Sequence, residues 1–244
     1  MEIDKAIADY TESIRLSPGE AIVYNNRGLA WGDKQEYDKA IADYTEAIRL
    51  DPEDETAYCG RGKAWVEKKE YDKAVADYTE AIQLDPGDPR TMLWMAAVRL
   101  ITARPEVVGD AKDVIATNAW ESELSIYAAI VGALGARRTS RDEAAKALLD
   151  EADAKAGRSL WPCPVVAYLR GEIDDKALLA LATDNDKMAE ARCYLAYDQL
   201  LKGKIAEARE NFRWVKDHGT AGFMEYALSL AELDRMDRAK DAKP

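Results

Sequence analysis

Reactive side chains are scarce in this chain. It has one histidine, His218, and three cysteines, Cys59, Cys163 and Cys193, none close to another in sequence. No Cys-x-x-Cys occurs, and no His/Cys/Asp set has zinc or iron spacing. No Ser-His-Asp or Cys-His arrangement carries the supporting signals of a triad. Glycine-rich phosphate loops of the Walker or dinucleotide type are missing too. The expectation is therefore no metal, no cofactor and no enzyme activity. Basic residues are in deficit, 34 against 46 acidic ones, for a net charge of −12. An acidic surface lacks the positive field that nucleic-acid phosphates require, and dispersed negative charge serves solubility. No apolar run approaches the roughly 20 residues of a membrane span. The opening MEIDKAIADYTESIRL has no signal-peptide character. As the chain stands it reads as cytoplasmic; the alternative is periplasmic or cell envelope, should an export signal precede Met1. The cysteines read as small buried apolar residues, with one disulfide as the alternative. His218, in Lys216-Asp217-His218-Gly219, reads as a helix C-terminal residue bonded to the last carbonyls.

What is present is a repeat. AIVYNNRGLAWGDKQEYDKAIADYTEAIRLDP (21–52) aligns without a gap to ETAYCGRGKAWVEKKEYDKAVADYTEAIQLDP (55–86), with 21 identities in 32 positions. A fixed period of this size marks stacked supersecondary units. Tyr37, Ala40, Ile41, Tyr44, Ala47 and Ile48 recur at three and four residues, which is one face of a helix. Gly28 and Gly62 sit mid-helix, where glycine costs about 1 kcal/mol; close approach of the paired helix is the reason to keep it. Tyr24, Trp31 and Tyr44 supply bulk beside the small residues. Pro52 and Pro86 end each unit.

The pattern Tyr24-x-x-Arg27-Gly28-x-x-Trp31, Ala40-x-x-x-Tyr44, Pro52, repeated at Tyr58, Arg61, Gly62, Trp65, Ala74, Tyr78 and Pro86, resembles the tetratricopeptide repeat (TPR). The resemblance implies an all-α TPR solenoid, a right-handed superhelix of antiparallel helix pairs A and B. Residues 1–18 form a half repeat, 19–52 and 53–86 are full repeats, and 88–103 is a degenerate helix A. An irregular helical connector over 105–160 follows, with helices at 105–117, 119–135 and 140–156, the last opened by a Ser140/Glu143 capping box; no clean helix B is expected after 103. Trp161-Pro162-Cys163-Pro164 reads as a break. A degenerate TPR-like region then spans 161–236, with helices at 165–169, 173–183 and about 220–235, and 237–244 is a charged tail.

The half repeat 3–18 duplicates 37–52 almost letter for letter and reads as a helix B without its helix A. Such a helix exposes Ile3, Ile7, Tyr10 and Ile14, so the expectation is either an N-terminal truncation or self-association, a homodimer through residues 3–14. Trp161, Tyr168-Leu169-x-Gly171-x-Ile173, Ala182-Thr183-Asp184-Asn185, Ala189-Glu190, Tyr194-Leu195, Gly203, Ala206 to Ala208 and Glu225-x-x-Leu228 resemble the C-terminal region of the bacterial NlpI-type TPR lipoproteins. That resemblance implies an envelope scaffold that binds hydrolases and proteases, often as a dimer. The first cysteine here is Cys59, so the lipidated N-terminal cysteine of those proteins has no counterpart.

The TPR resemblance also implies where a ligand sits, because helix A lines the concave face of such stacks. The candidate groove residues are Ile22, Asn25, Asn26, Leu29 and Asp33 in the first repeat and Thr56, Cys59, Lys63, Val66 and Glu67 in the second. Arg90, Leu93 and Ala97 follow in the third, with Trp94 read as core. Asn26 and Arg90 fall at positions of a carboxylate clamp, but Gly60 and Trp94 stand where further polar or basic groups are needed, so no clamp is expected. The groove suits a protein or peptide ligand with an apolar anchor. Function is expected to concentrate where the two copies disagree: Asn25 against Cys59, Asn26 against Gly60 and Leu29 against Lys63.

Overall fold

A computed structural model describes residues 2–120, 122–156 and 161–241. The end of the expected connector, 157–160, and the last tail residues, 242–244, lie outside the described residues. Fourteen α-helices and no strand occur among the described residues: α1 (Glu2–Leu16), α2 (Ala21–Asp33), α3 (Tyr37–Leu50), α4 (Glu55–Glu67), α5 (Tyr71–Leu84), α6 (Pro89–Ile101), α7 (Val107–Asn118), α8 (Glu123–Arg138), α9 (Asp142–Lys155), α10 (Cys163–Leu169), α11 (Asp175–Leu181), α12 (Asn185–Leu201), α13 (Ile205–His218) and α14 (Met224–Asp241). The chain divides into two compact units, Met1–Thr91 and Met92–Pro244.

One backbone device recurs through both units. Gln35, Lys69, Ala103, Ser140, Gly171 and Gly203 all have positive φ, between 54° and 80°. Each donates its N–H to the carbonyl three residues back, and the next N–H reaches the carbonyl five back, as in Gln35→Gly32 and Glu36→Trp31 or Ala103→Leu100 and Arg104→Arg99. This is a Schellman-type helix stop followed at once by a new helix. It ends α2, α4, α6, α8, α10 and α12, so each of these is the first helix of a hairpin. Ala103 falls 34 residues after Lys69, in register, and α7 follows as a helix B where the side-chain pattern promised none. The expected capping box at Ser140 does not form, because Ser140 takes the left-handed turn position (φ 57°) and Arg141 precedes α9.

In the first unit the helices of a pair approach through glycine. A Cβ on Gly28 would lie 3.0 Å from the Tyr44 ring, and one on Gly62 would lie 2.7 Å from Tyr78. Gly60, from the next repeat, closes on Tyr44 from another direction, at 2.5 Å. Around Tyr44 the fully buried Ala40, Ala47 and Ala57 keep the interface thin, and Tyr24, Trp31, Tyr37, Ile41 and Ile48 pack at its margin. Each hairpin is also tied by a buried two-pronged ion pair. The Arg27 guanidinium donates to both Asp43 oxygens at 2.8 and 2.7 Å, and Arg61 does the same to Asp77. The third guanidinium nitrogen reaches back one repeat, from Arg27 to the Thr11 hydroxyl and from Arg61 to that of Thr45, each at 3.1 Å. Planar fork-to-carboxylate geometry favours arginine here over lysine. On α1, Ile7 is buried (7 % exposed) and not open as expected, because α2 covers that part of the helix; Ile3 is 39 % exposed.

In the second unit α8 is the central helix, buried from Ser125 to Ala136 except at the half-buried Tyr127. Gly132 and Gly135 let α7 lie close: a Cβ at Gly135 would meet Val107 at 2.3 Å. α12 packs against α8, α13 and α14, with Tyr197 edge-on to Phe212 at 5.3 Å. Several boundaries differ from expectation for local reasons. α8 begins at Glu123 because Ser122 caps it through Leu124 N–H, and α11 begins at Asp175 because Asp174 caps it through Ala177 N–H. The last helix continues through Asp241, so residues 237–241 of the expected tail are helical; an Arg209–Asp237 pair joins this stretch to α13. Cys193 is buried, Cys59 and Cys163 are half-buried, and none of the three is in a disulfide.

Two glycine substitutions separate packing from helix propensity. The Tyr44 ring is held between Gly28 and Gly60, so Gly60→Ala has no open side to push it toward, and a loss of about 1–2 kcal/mol is expected in urea unfolding. At Gly32, near the end of α2, an added Cβ would meet nothing within 4 Å, so Gly32→Ala should gain about 0.5–1 kcal/mol from propensity alone.

Candidate functional site

α2 and α4 each present a stripe at helical spacing. On α2, Ile22 and Leu29 are each 58 % exposed. They lie seven residues apart, two turns or about 10 Å along the helix. Asn26 is half-buried between them, and Asp33 is exposed at the end. On α4, Thr56 and Lys63 are exposed and Cys59 and Glu67 are half-buried. Arg90, at the start of α6, is exposed. These residues, within the first unit, form an accessible surface with two apolar projections and mixed charge.

The other expected groove residues lie elsewhere. Asn25 is buried, and its amide donates to Asp54 at 3.1 Å; Asp54 also caps α4 through Ala57 N–H. Asn25 thus fastens α2 to the start of the next repeat. Its counterpart Cys59 makes the same kind of joint in different atoms, its thiol lying 3.3 Å from the Thr91 hydroxyl oxygen, while that hydroxyl donates to the α6 cap Asp88 at 2.6 Å. The difference between the two copies here is a difference of joinery. Gly60, the counterpart of Asn26, is occupied with Tyr44. Val66 is buried, as are Leu93 and Ala97, which belong to the second unit. Burial pushes the Glu67 carboxyl up, opposed by the Tyr37 phenol that donates to it. Of the three positions where the copies disagree, only Leu29 against Lys63 is a contrast between two exposed side chains.

The second unit holds a half-buried carboxylate, Glu190, and two buried ones, Glu225 and Glu232, that sequence reasoning did not single out as a group. Glu190 on α12 accepts from the Tyr127 hydroxyl at 2.6 Å and from the Trp161 indole N–H at 2.5 Å. Burial, with the neighbouring Glu225 charge adding to it, pushes its pKa up to about 7. Glu225 on α14 accepts from the Tyr194 hydroxyl at 2.5 Å and is itself pushed up by burial. Glu232, one stripe position further, pairs with Arg138. The visible signal was periodic: Glu225, Ser229 and Glu232 occupy core-spaced positions of α14. Perturbed carboxylates of this kind can mark catalytic sites. Here aromatic O–H and N–H donors from α8, α12 and Trp161 hold them. His218, the one histidine, bonds through Nδ1 to the Trp214 carbonyl at 2.9 Å and stacks on the Trp214 ring. Among the described residues no group of three or more His, Cys, Asp and Glu side chains could hold a metal ion, and no helix is long and apolar enough to cross a membrane.

Hairpins stopped by one repeated turn and stacked with a helix-A stripe facing outward define an all-helical repeat protein. The tetratricopeptide repeat profile matches residues 2–55 and 32–89, so residues 2–89 are tetratricopeptide repeats. No curated protein matches the chain in sequence. Among solved structures, a tetratricopeptide repeat protein from Parabacteroides merdae is similar over 94 % of this chain and 92 % of its own, at 14 % identity and a TM-score of 0.64. MamA aligns over 63 % of this chain and 88 % of its own, at 18 % identity and a TM-score of 0.57. YrrB, described as a TPR protein with an unusual peptide-binding site, aligns over 89 % of this chain and 95 % of its own, at 18 % identity and a TM-score of 0.50. These likenesses establish the shared TPR solenoid fold.

The raised Glu190 pKa makes stability depend on pH. Its folded value lies above its ordinary 4.5, so the native state binds the proton more tightly and this group costs stability as pH rises from about 4.5 to about 7. Glu190→Gln keeps an oxygen acceptor for Tyr127 and Trp161 without the charge. Its melting temperature relative to the unsubstituted protein should therefore be higher at pH 8 than at pH 5, read by circular dichroism at both pH values.

Proposed function

We propose that the protein is a non-catalytic scaffold that binds a partner polypeptide along the helix-A surface of its tetratricopeptide repeats. The observation that carries this reading is the pair of exposed apolar side chains, Ile22 and Leu29, spaced two turns apart on α2 beside Thr56 and Lys63 of α4. A fold does not by itself confer a function, but a surface with isolated apolar projections on rigid helices suits side chains of an extended or helical peptide. Support comes also from YrrB, a structural neighbour described as having a peptide-binding site. The buried tie from Asn25 to Asp54 serves this surface by holding α2 and α4 in fixed register. For residues 155–235 we infer a scaffold role of the NlpI type, supported by Trp161, Glu190 and Glu225, which carry that resemblance: in this chain the Trp161 indole donates to Glu190, and the neighbouring Glu225, held by Tyr194, adds to the upward push on the Glu190 carboxyl.

The test is affinity capture with the intact protein and with Leu29→Glu and Lys63→Glu. A partner held through this surface is retained by the unsubstituted protein and by Lys146→Ala, a surface variant in the second unit. It is lost or weakened at least tenfold by Leu29→Glu, because a charge then occupies the apolar contact. Both residues are exposed, so unfolding curves should not change. Retention unaffected by either groove variant would refute the assignment.

A further inference from the structure

The repeat provides an internal control for the surface of α1. Residues 3–18 duplicate 37–52, so α1 and α3 carry the same face in two environments. On α3, Ala40, Asp43, Tyr44 and Ala47 are all buried, and Asp43 is gripped by both prongs of Arg27 from α2. α5 repeats this with Ala74, Asp77, Tyr78 and Arg61 of α4. The counterparts on α1 are Ala6 and Tyr10, half-buried, and Asp9 and Ser13, exposed. Among the described residues, none makes an ion pair or hydrogen bond to the Asp9 side chain. Twice in this unit the same face is covered by a helix with one signature: a tyrosine, an arginine three residues on, a glycine beside it, and a tryptophan four residues after the arginine. The arginine answers the aspartate and the glycine makes room for the tyrosine ring.

We propose that the Asp9/Tyr10 face of α1 is a docking surface for an amphipathic helix bearing this Tyr-x-x-Arg-Gly-x-x-Trp pattern, seated as α2 is on α3 and α4 on α5. Complementarity is specific in charge and in shape. A guanidinium fork meets the Asp9 carboxylate, and a residue without Cβ lies over Tyr10. A helix with a larger residue in place of the glycine, or with an acid in place of the arginine, is excluded. This surface is separate from the helix-A stripe and does not rest on the reading proposed above.

The probe is a fluorescently labelled peptide of residues 54–69, held helical by a lactam between the Lys63 and Glu67 side chains, titrated with the full chain and followed by anisotropy. Saturable one-to-one binding is expected. Asp9→Asn in the protein should weaken it about tenfold, as loss of one partner of a charge-assisted pair does. Arg61→Ala in the peptide should do the same, and the two changes together should cost little more than either alone. Asp9 is exposed, so its variant keeps the fold, verified by an unchanged circular dichroism spectrum. Absence of binding, or binding indifferent to both substitutions, overturns the proposal. So does a dimer of the chain alone, seen by light scattering and dissociated by Asp9→Asn, because a second copy would then be the occupant.

Discussion

The first unit depends on one contact: the ring of Tyr44, with a glycine of its own hairpin on one side and a glycine of the next hairpin on another. Gly28 sets how closely α2 and α3 approach, and Gly60 sets how closely α4 follows. Because a ring is stiff and both neighbours lack a Cβ, the spacing within a hairpin and the spacing between hairpins are fixed by the same side chain. The bidentate Arg27–Asp43 pair sits on this frame, since a fork-to-carboxylate bond needs helices held at one separation. The outward stripe of Ile22 and Leu29 follows in turn, because the rest of α2 is committed inward to Tyr44, Asp43 and Asp54.

The first two repeats were legible because packing between hairpins is written in side-chain size. Gly28, Ala40, Tyr44 and Trp31 have few substitutes, so a second copy repeats them nearly unchanged. Beyond residue 89 the same hairpins persist without that lettering. The stop at Ala103, Ser140 and Gly171 is made by backbone N–H and carbonyl groups, and these three positions share no residue type. A pattern read from side chains cannot see a device built from the main chain, which is why the helix expected at 105–117 was not expected to be the helix B of a hairpin with α6. The groove was legible only in part, for a related reason. Helical spacing located the α2 and α4 stripes, but it could not tell that Asn25 turns inward to Asp54 or that Val66 is covered. The contrast between the two copies also misled: Asn25 and Cys59 differ because two different pairs, Asn–Asp and Cys–Thr, make the same joint.

The second unit adds another device. It keeps one arginine–aspartate tie, Arg99–Asp110 between α6 and α7, and elsewhere sets glutamates against tyrosine and tryptophan donors, as at Glu190 and Glu225. Such sites give up hydration of the carboxylate in return for directional bonds that join α8, α12 and α14. The close approach of α7 to α8 at Gly135 repeats the logic of Gly28 with valine in place of tyrosine.

The ion pairs of the first unit fall into two grades. Arg27–Asp43 and Arg61–Asp77 lie inside hairpins and are largely covered, whereas the pairs from Lys34 to Asp4 and from Lys68 to Asp38 join successive hairpins at an edge open to water. Salt screens exposed charges far more than covered ones. Added electrolyte therefore loosens the lysine–aspartate margin first, while Tyr44 against Gly60 and the Asn25–Asp54 bond keep successive hairpins in register, so a ligand spanning two repeats meets the same frame in dilute and in concentrated salt.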